Sequence, residues 1–134
     1  MPLAPGDTAF LRKTITDADV RQFAALSLDT NPLHLDEEYA RSARFGQRIC
    51  HGMLYAALLS AVIGNQLPGP GTVYLSQSFQ FLKPVFRDDE ITATVTVLTV
   101  EAARRQAVLR TDCHNQHSAL VLTGAARVLL PPQT

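Results

Sequence analysis

Three residues with useful side-chain chemistry lie within six positions of one another: the carboxylate Asp29, the amide Asn31 and the imidazole His34. Pro32 stiffens the same segment, because its ring fixes φ. In such a loop a carboxylate and an imidazole can turn toward one point, where one deprotonates a bound water and the other positions it. The spacing is therefore compatible with an acid–base pair. The alternative is a turn-forming Asp–Asn segment beside a structural histidine.

A second candidate for chemistry is Gly52, which precedes a long apolar segment. The first N–H groups of a helix have no partner within the helix and, together with the helix dipole, favour negative charge. Glycine lets a ligand approach the backbone closely. Such N–H groups can stabilise a carbonyl oxygen that gains charge during a reaction. A tight loop-to-helix transition with His51 as its cap would explain the same residues without chemistry.

Other combinations of reactive residues are less informative. Cys113, His114 and His117 have part of a metal-ligand spacing, but they lie in a predicted hairpin turn without a fourth ligand nearby. Cys50 and His51 are adjacent in the chain, and adjacent side chains rarely face each other. We therefore expect an exposed polar turn in the first case and no thiol nucleophile in the second.

The composition limits the classes of function. Twelve Lys and Arg balance twelve Asp and Glu among 134 residues, which removes a broad attraction to nucleic acid or an anionic membrane. No apolar run approaches the roughly 18 residues of a membrane span, and the first residues do not resemble a signal peptide. Two cysteines make no disulfide framework, so we expect two free thiols in a reducing cytoplasm.

The predicted secondary structure changes from mostly helix to mostly strand near Pro68–Gly71. Before it, the pattern predicts a short strand at residues 8–13 and helices that begin near Thr16, Asp36 and His51. The last of these, at about residues 51–66, is apolar all round and should be buried on nearly every side. Because proline disfavours helix at the residue before it, residues 28–34 are predicted to form an irregular loop.

After Gly71, apolar and polar residues alternate as they do in half-buried antiparallel strands. Ile91, Ala93 and Val95, for example, alternate with threonines. Four strands and one buried helix predict an α+β fold in a single domain, residues 1–134. One helix cannot cover both faces or all edges of such a sheet, so we expect a homodimer.

From Asp29 to His34 the sequence resembles the hydratase 2 motif of R-specific enoyl-CoA hydratases, in the MaoC-like hot-dog superfamily. The similarity covers most of the chain and continues through residues 35–40, 44–46, 51–54, 67–69, 71–75 and 81–85. It is greatest to the short hydratases linked to polyhydroxyalkanoate synthesis. The resemblance implies a hot-dog fold, in which a curved antiparallel sheet wraps a long central helix, and a homodimer that binds CoA thioesters at the subunit boundary.

The resemblance also implies a reaction, the reversible syn hydration of trans-2-enoyl-CoA to (R)-3-hydroxyacyl-CoA. This reaction connects fatty acid β-oxidation to the supply of (R)-3-hydroxyacyl-CoA and needs no metal or redox cofactor. By the resemblance, Asp29 and His34 are the catalytic pair that holds the water. Asn31 supports the loop at the substrate site, and the Gly52 N–H binds the thioester oxygen. Which member of the pair transfers the proton to C2 stays open.

Two positions depart from the family pattern. Leu28 stands where the family usually has glycine, and because leucine resists positive φ we expect a different backbone path there. Arg87-Asp88-Asp89 stands where many relatives have a glycine before the acid, a change that we expect to be tolerated. Neither departure removes a catalytic side chain.

Two substrate-binding surfaces are predicted less directly. Helical spacing places Leu58, Val62 and Ile63 along a possible acyl pocket, with core packing as the alternative role. Because CoA carries several negative charges, a chain of zero net charge must bind it with a local basic rim. The candidates are Arg41, Arg44, Arg48 and Lys83.

Three other functions compete with the hydratase. A dehydratase acting on acyl-carrier-protein substrates would share the same reacting end. A hot-dog thioesterase would need a carboxylate on the central helix, and residues 53–66 contain none. A non-catalytic acyl-CoA-binding module would need neither Asp29 nor His34.

Overall fold

A single antiparallel sheet forms the larger part of the fold in this computed structural model, which describes residues 2–132. The six strands are β1 (Thr8–Thr14), β2 (Val73–Gln77), β3 (Gln80–Phe81), β4 (Glu90–Glu101), β5 (Gln106–His114) and β6 (Leu120–Leu129). The helices are α1 (Asp17–Ser27), α2 (Pro32–Leu35), α3 (Glu37–Arg41) and α4 (Gly52–Asn65), with a 3-10 turn at Ala102–Arg104. The predicted α+β class is confirmed.

The strands are ordered β1-β4-β5-β6-β2, and β3 pairs with β6. All pairings are antiparallel. Ile91, Ala93 and Val95 of β4 are completely buried and face α4, whereas the alternating threonines are only half-buried. The period-two pattern of the sequence therefore identified the inner face of this strand.

Helix α4 lies against the concave side of the sheet and packs on β4, β5 and β1. Leu59 and Val62 are fully buried there, each burial contributing about 1.5–3 kcal/mol. The expectation of burial on nearly every side is wrong, because Met53, Ala57 and Ser60 form an exposed stripe. None of the helices in residues 2–132 is long and apolar enough to cross a membrane.

Helix α1 begins where the sequence predicts. The Thr16 hydroxyl accepts a hydrogen bond from the Asp19 N–H (3.1 Å), and the Asp19 carboxylate accepts one from the Thr16 N–H (3.0 Å). This reciprocal capping box satisfies two donors that the helix leaves unpaired. The helix ends at Ser27, and Leu28 follows with φ of 66°. The expected departure of the backbone at Leu28 is wrong, because leucine adopts the left-handed conformation that glycine favours.

The segment predicted to be an irregular loop contains a short helix, α2, which includes His34. Pro32 occupies the first turn of α2, where its missing N–H costs no helical hydrogen bond. The helix predicted for residues 36–44 is shorter than expected, since α3 ends at Arg41. Pro32 therefore starts a helix here, whereas α1 had already ended at Ser27.

Candidate active site

The loop between α1 and α2 holds Asp29 by local hydrogen bonds. The Asp29 N–H donates to the Ser27 hydroxyl (3.1 Å), and a carboxylate oxygen of Asp29 accepts from the Asn31 N–H (3.2 Å). The Asn31 side-chain oxygen accepts from the Leu33 N–H (3.0 Å) and so caps α2. Asn31 thus shapes the turn between Asp29 and His34, and its role at the substrate site stays a prediction.

His34 is fixed in one orientation on α2. It is 9% exposed, and its Nδ1 lies 2.8 Å from the carbonyl oxygen of Ile49. Because a carbonyl oxygen can only accept a hydrogen bond, Nδ1 carries the hydrogen and Nε2 of the neutral ring has the free lone pair. Nε2 is therefore the atom with which His34 can accept a hydrogen bond from a bound water.

A buried arginine holds the His34 backbone from the other side. Arg48 is 3% exposed, and its Nε donates to the His34 carbonyl oxygen (2.7 Å). Its guanidinium also pairs with Asp17 (2.5 Å) and lies 3.8 Å from Glu37. The pKa of Asp17 is lowered by its hydrogen bonds to Arg21 and Arg48. The expectation that Arg48 belongs to a CoA-binding rim is wrong, because these contacts use the guanidinium inside the protein.

The loop brings Asp29 close to two histidines. One carboxylate oxygen of Asp29 and one ring nitrogen from each of His34 and His51 lie within 4.8 Å of one another. A water that makes two hydrogen bonds of about 2.8 Å joins groups about 4.6 Å apart. The predicted proximity of Asp29 and His34 is therefore present, within the reach of one bridging water.

The same three side chains do not have the geometry of a metal centre. The rings of His34 and His51 are stacked, with centroids 3.9 Å apart and planes inclined by 27°. Metal coordination requires lone pairs that converge on one point at about 2.0–2.2 Å, whereas the in-plane lone pairs of stacked rings do not converge. His34 Nδ1 and His51 Nε2 also each lie against a backbone carbonyl oxygen. The arrangement fits hydrogen bonding to a water.

Gly52 is the first residue of α4, as predicted from its position before the apolar segment. Its N–H makes no hydrogen bond within residues 2–132, and the dipole of a 14-residue helix points toward it. A Cβ at this position would lie 2.5 Å from Cε1 of Phe81. Glycine therefore allows the aromatic ring to pack directly against the helix end, beside the free N–H.

These groups line one cleft of about 490 Å³. Its polar side contains Asp29, His34, His51 and the start of α4. The apolar lining comes from Phe45, Ile49, Cys50, Met53, Tyr55, Phe81, Leu82, Pro84 and Val85. Two basic side chains, Arg44 and Lys83, also line it, whereas Arg41 does not. The cleft thus combines an acid–base pair, free N–H groups, an apolar wall and two cations.

The predicted acyl-pocket residues lie deeper than this cleft. Val62 and Ile63 are buried in the core between α4 and the sheet, and Leu58 is half-buried against the same core. None of the three lines the cleft. Their role in binding an acyl chain stays a prediction.

Neither cysteine has the environment of a nucleophile. Burial raises the pKa of the Cys50 thiol to about 12 and that of Cys113 to about 12. Both thiols are free and protonated at neutral pH. Within the described residues, Cys113, His114 and His117 form no cluster of potential metal ligands.

The fold and the site together define a class of protein. One antiparallel sheet wraps a long helix, and Asp29 and His34 line the same cleft as the first turn of that helix. This is a hot-dog protein with a cleft at the N-terminus of its central helix. The MaoC-like domain model matches residues 5–117, and the chain belongs to that family. The predicted family and fold are both confirmed.

The most similar relatives match the chain over nearly its full length. An (R)-specific enoyl-CoA hydratase of Rhodospirillum rubrum is 45% identical over 94% of this chain and 87% of its own. An (R)-specific enoyl-CoA hydratase of Aeromonas caviae is 47% identical over 96% of both chains. The solved structure of the (R)-hydratase from A. caviae, involved in PHA biosynthesis, superposes with a TM-score of 0.93 and covers 96% of this chain and 98% of its own.

A more distant relative acts on a different carrier. The mitochondrial 3-hydroxyacyl-[acyl-carrier-protein] dehydratase of Arabidopsis thaliana is 35% identical over 96% of this chain and 78% of its own. Because the name of this relative specifies an acyl-carrier-protein substrate, a dehydratase function stays an alternative for this chain.

Sequence reasoning missed much of the cleft and the main contacts of His51. His51 was considered only as a helix cap, yet its side chain makes no capping hydrogen bond. Phe45, Phe81 and Leu82 were not named as site residues, although the stretches 44–46 and 81–85 carry the family resemblance. That resemblance, in two segments far apart in the chain, was the available signal that they meet at one site.

Proposed function

We propose that this protein is an (R)-specific enoyl-CoA hydratase, which adds water reversibly to trans-2-enoyl-CoA. The observation that carries the proposal is the convergence of Asp29, His34 and the Gly52 N–H on one cleft. The similarity to (R)-specific enoyl-CoA hydratases over nearly the full chain supports the same reaction. No metal or redox cofactor has a step in it.

The reaction needs a base, a positioned water and a place for negative charge. The water oxygen forms a bond to C3 while Asp29 takes one of its protons, and His34 accepts a hydrogen bond from the water through Nε2. The C2–C3 π electrons move toward the thioester, giving an enolate-like oxygen. A proton then returns to C2 on the face to which the water was added, so that the hydration is syn.

The Gly52 N–H stabilises the enolate-like oxygen. It is a fixed donor at a helix N-terminus, so it needs little reorganisation when charge develops. Removing one such donor typically costs about 3–4 kcal/mol in the activation free energy. The Phe81 ring packs against the helix end at Gly52, beside this N–H.

Arg44 and Lys83 are the part of the predicted basic rim that faces the cleft. In the proposed complex they attract the phosphates of CoA, while the apolar wall receives the acyl group. This division of charge explains how a chain with zero net charge binds a polyanionic substrate, because the two cations act locally.

A homodimer completes this proposal. Six apolar side chains are between 37% and 55% exposed and are here called the apolar strip: Met53, Val73, Tyr74, Leu75, Phe81 and Leu82. Met53, Phe81 and Leu82 also line the cleft. A second copy covering the strip would therefore border the cleft, which supports a substrate site at the subunit boundary. We further propose one domain over the whole chain and a cytoplasmic location, the latter from its two free thiols.

The experiment follows loss of enoyl absorbance with crotonyl-CoA and identifies the product with R- and S-specific 3-hydroxyacyl-CoA dehydrogenases. We expect the R product, and expect Asp29→Asn and His34→Ala each to lower kcat by about 10²-fold or more. Ser42→Ala, an exposed polar change outside the cleft, is the matched control. An S product, no hydration, or near-full activity in either variant would contradict the assignment.

The carrier-protein alternative is tested on the same enzyme. The similarity to the Arabidopsis dehydratase is the observation that supports this alternative. We expect crotonyl-CoA to be hydrated with the higher kcat/KM, because the two cations at the cleft suit the phosphates of free CoA. A higher kcat/KM with crotonyl-acyl-carrier protein would instead assign the dehydratase function.

A further inference from the structure

His51 makes contacts that neither a helix cap nor a packing residue requires. It is 2% exposed and lies between two rings: that of His34, 3.9 Å away and stacked, and that of Phe23, 4.9 Å away and tilted. Its Nε2 lies 3.0 Å from the backbone carbonyl oxygen of Asp29. Gly52 follows it directly in the chain. One side chain thus touches both members of the acid–base pair and precedes the free N–H.

The contact with Asp29 fixes the form of the ring. A carbonyl oxygen only accepts hydrogen bonds, so Nε2 of His51 carries the hydrogen. Burial lowers the pKa of His51 from its ordinary value, and the neighbouring His34 acts in the same direction. His51 is therefore a neutral donor with its hydrogen on Nε2, stacked on an imidazole whose hydrogen is on Nδ1.

The Asp29 loop depends on this donor for its link to the protein interior. Leu28, Asp29 and Thr30 are all exposed. The Asp29 N–H bonds only to Ser27 of the preceding turn, whereas its carbonyl oxygen bonds to the buried His51. Loss of the His51 donor would leave the carboxylate on a loop held by neighbouring residues alone.

We propose that His51 is a positioning residue of the active site, which holds the Asp29 backbone through Nε2–H and the His34 imidazole through ring stacking. The inference rests on the proposed hydratase function and extends it to a residue that touches neither the water nor the thioester. A packing role alone would be served by an apolar ring such as that of Phe23. His51 instead has a buried Nδ1 with no partner among residues 2–132, a cost that a phenyl ring would avoid.

Two substitutions separate the two contacts. His51→Phe keeps a flat ring beneath His34 and removes the donor to Asp29. His51→Gln keeps a donor of similar reach and removes the ring. We expect each to lower kcat for crotonyl-CoA, by up to about 10²-fold, the loss that a misplacement of about 1 Å causes. KM should stay within about twofold, because no substrate contact is removed.

Nitrogen-15 NMR of labelled histidines supplies a readout that does not depend on turnover. In the unsubstituted protein we expect hydrogen on Nε2 of His51 and on Nδ1 of His34. His51→Phe should keep the His34 form. His51→Gln should allow the two forms to mix, because without the stacked ring the imidazole can rotate away from the Ile49 carbonyl oxygen. His117→Gln, at an exposed turn residue, is the matched control and should change neither kcat nor these signals.

Three outcomes would overturn the proposal: a folded His51→Phe with unchanged kcat, a loss confined to thermal stability, or hydrogen on Nδ1 of His51 in the unsubstituted protein. Because the NMR measurement uses the unsubstituted protein, it tests the proposal even if both variants fail to fold. If the unsubstituted protein hydrates no enoyl-CoA, the proposed function fails, while the NMR result still reports whether His51 holds the two residues.

Discussion

Leu28 holds a backbone conformation that its own side chain opposes. Its φ of 66° lies in the left-handed region, and its side chain is 83% exposed. Asp88 adopts a φ of 70° within Arg87–Asp89, the second segment where the resemblance leads us to expect a glycine. At both positions, therefore, the chain keeps the backbone path expected of glycine. Leucine has no short polar group to stabilise this conformation locally, as aspartate does, so the strain is greater at Leu28.

We expect Leu28→Gly to stabilise the protein by about 0.5–1 kcal/mol. The left-handed conformation costs leucine about 1–2 kcal/mol, and the greater freedom of glycine in the unfolded chain offsets part of the gain. Urea denaturation of both proteins measures the difference. Leu26→Gly, at an equally exposed leucine inside α1, should instead destabilise by up to about 1 kcal/mol. If Leu28→Gly were less stable than the unsubstituted protein, the left-handed conformation would not be strained at Leu28.

His51 should also make stability depend on pH. Its folded-state pKa is lowered mainly by burial, with a smaller effect of His34, although the Asp29 carbonyl and carboxylate oppose the shift. The unfolded chain titrates near about 6.5 and thus binds more protons at mildly acidic pH. This contribution to stability is complete above about pH 6.5 and decreases as the pH falls toward the folded-state pKa.

Tm should therefore fall between about pH 7 and about pH 5, and His51→Gln should reduce the fall. The lowered pKa values of Asp17 and Asp19, whose ordinary value is 3.8, act at more acidic pH. Calorimetry across this range tests the prediction, with His117→Gln as the control. Equal pH slopes in the unsubstituted protein and His51→Gln would show that burial does not oppose protonation of His51.

Helix α4 contributes different residues to the cleft and to the hydrophobic core. Its first turn presents Gly52 and Met53 to the cleft, whereas Leu59, Val62 and Ile63 pack against the sheet. By the prediction, an acyl chain that extends along the helix would next reach Val62 and Ile63. The predicted acyl pocket would therefore require space that the core side chains now fill.

Ile63→Ala should shift the chain-length profile of kcat/KM toward longer enoyl-CoA substrates. Removing this side chain, which is 2% exposed, opens space beside the helix, at a cost in stability of about 2–5 kcal/mol. Leu59→Ala removes a similar volume from the same helix, at a residue outside the predicted wall, and should leave the profile unchanged. An unchanged profile in a folded Ile63→Ala would remove Ile63 from the pocket.

Three residues of the apolar strip, Val73, Tyr74 and Leu75, belong to the edge strand β2. β2 pairs with β6 on one side only, so its outer edge offers backbone donors and acceptors. Exposed apolar side chains on the same element mark an interaction surface. A second copy of β2 can satisfy both features by a two-fold contact.

We expect the protein to elute as a dimer and Leu75→Arg to shift it toward monomer with loss of hydratase activity. The buried arginine would lack a partner at the interface. Light scattering after size-exclusion chromatography measures the mass, and Leu98→Arg is the control at an exposed leucine of β4. A monomeric, fully active unsubstituted protein would contradict both the dimer and the shared site.

The sequence by itself determined the features set by local or periodic physics. The capping box at Thr16, the inner face of β4 and the start of α4 follow from hydrogen-bonding groups and apolar spacing within a few residues. The proximity of Asp29 and His34 was also predictable, because proline and short spacing confine both to one segment. The family resemblance then connected these residues to a reaction.

Tertiary structure decided everything that depends on what packs against a residue. Arg48 was indistinguishable in sequence from the exposed Arg44, yet Asp17 and Glu37 neutralise it inside the protein. The stripe at Met53 is as apolar as the rest of α4 and stays exposed because the sheet covers only one side. His51 meets His34 and Asp29 only when the chain folds back, since a local pattern carries no information about partners 17 or 22 residues away.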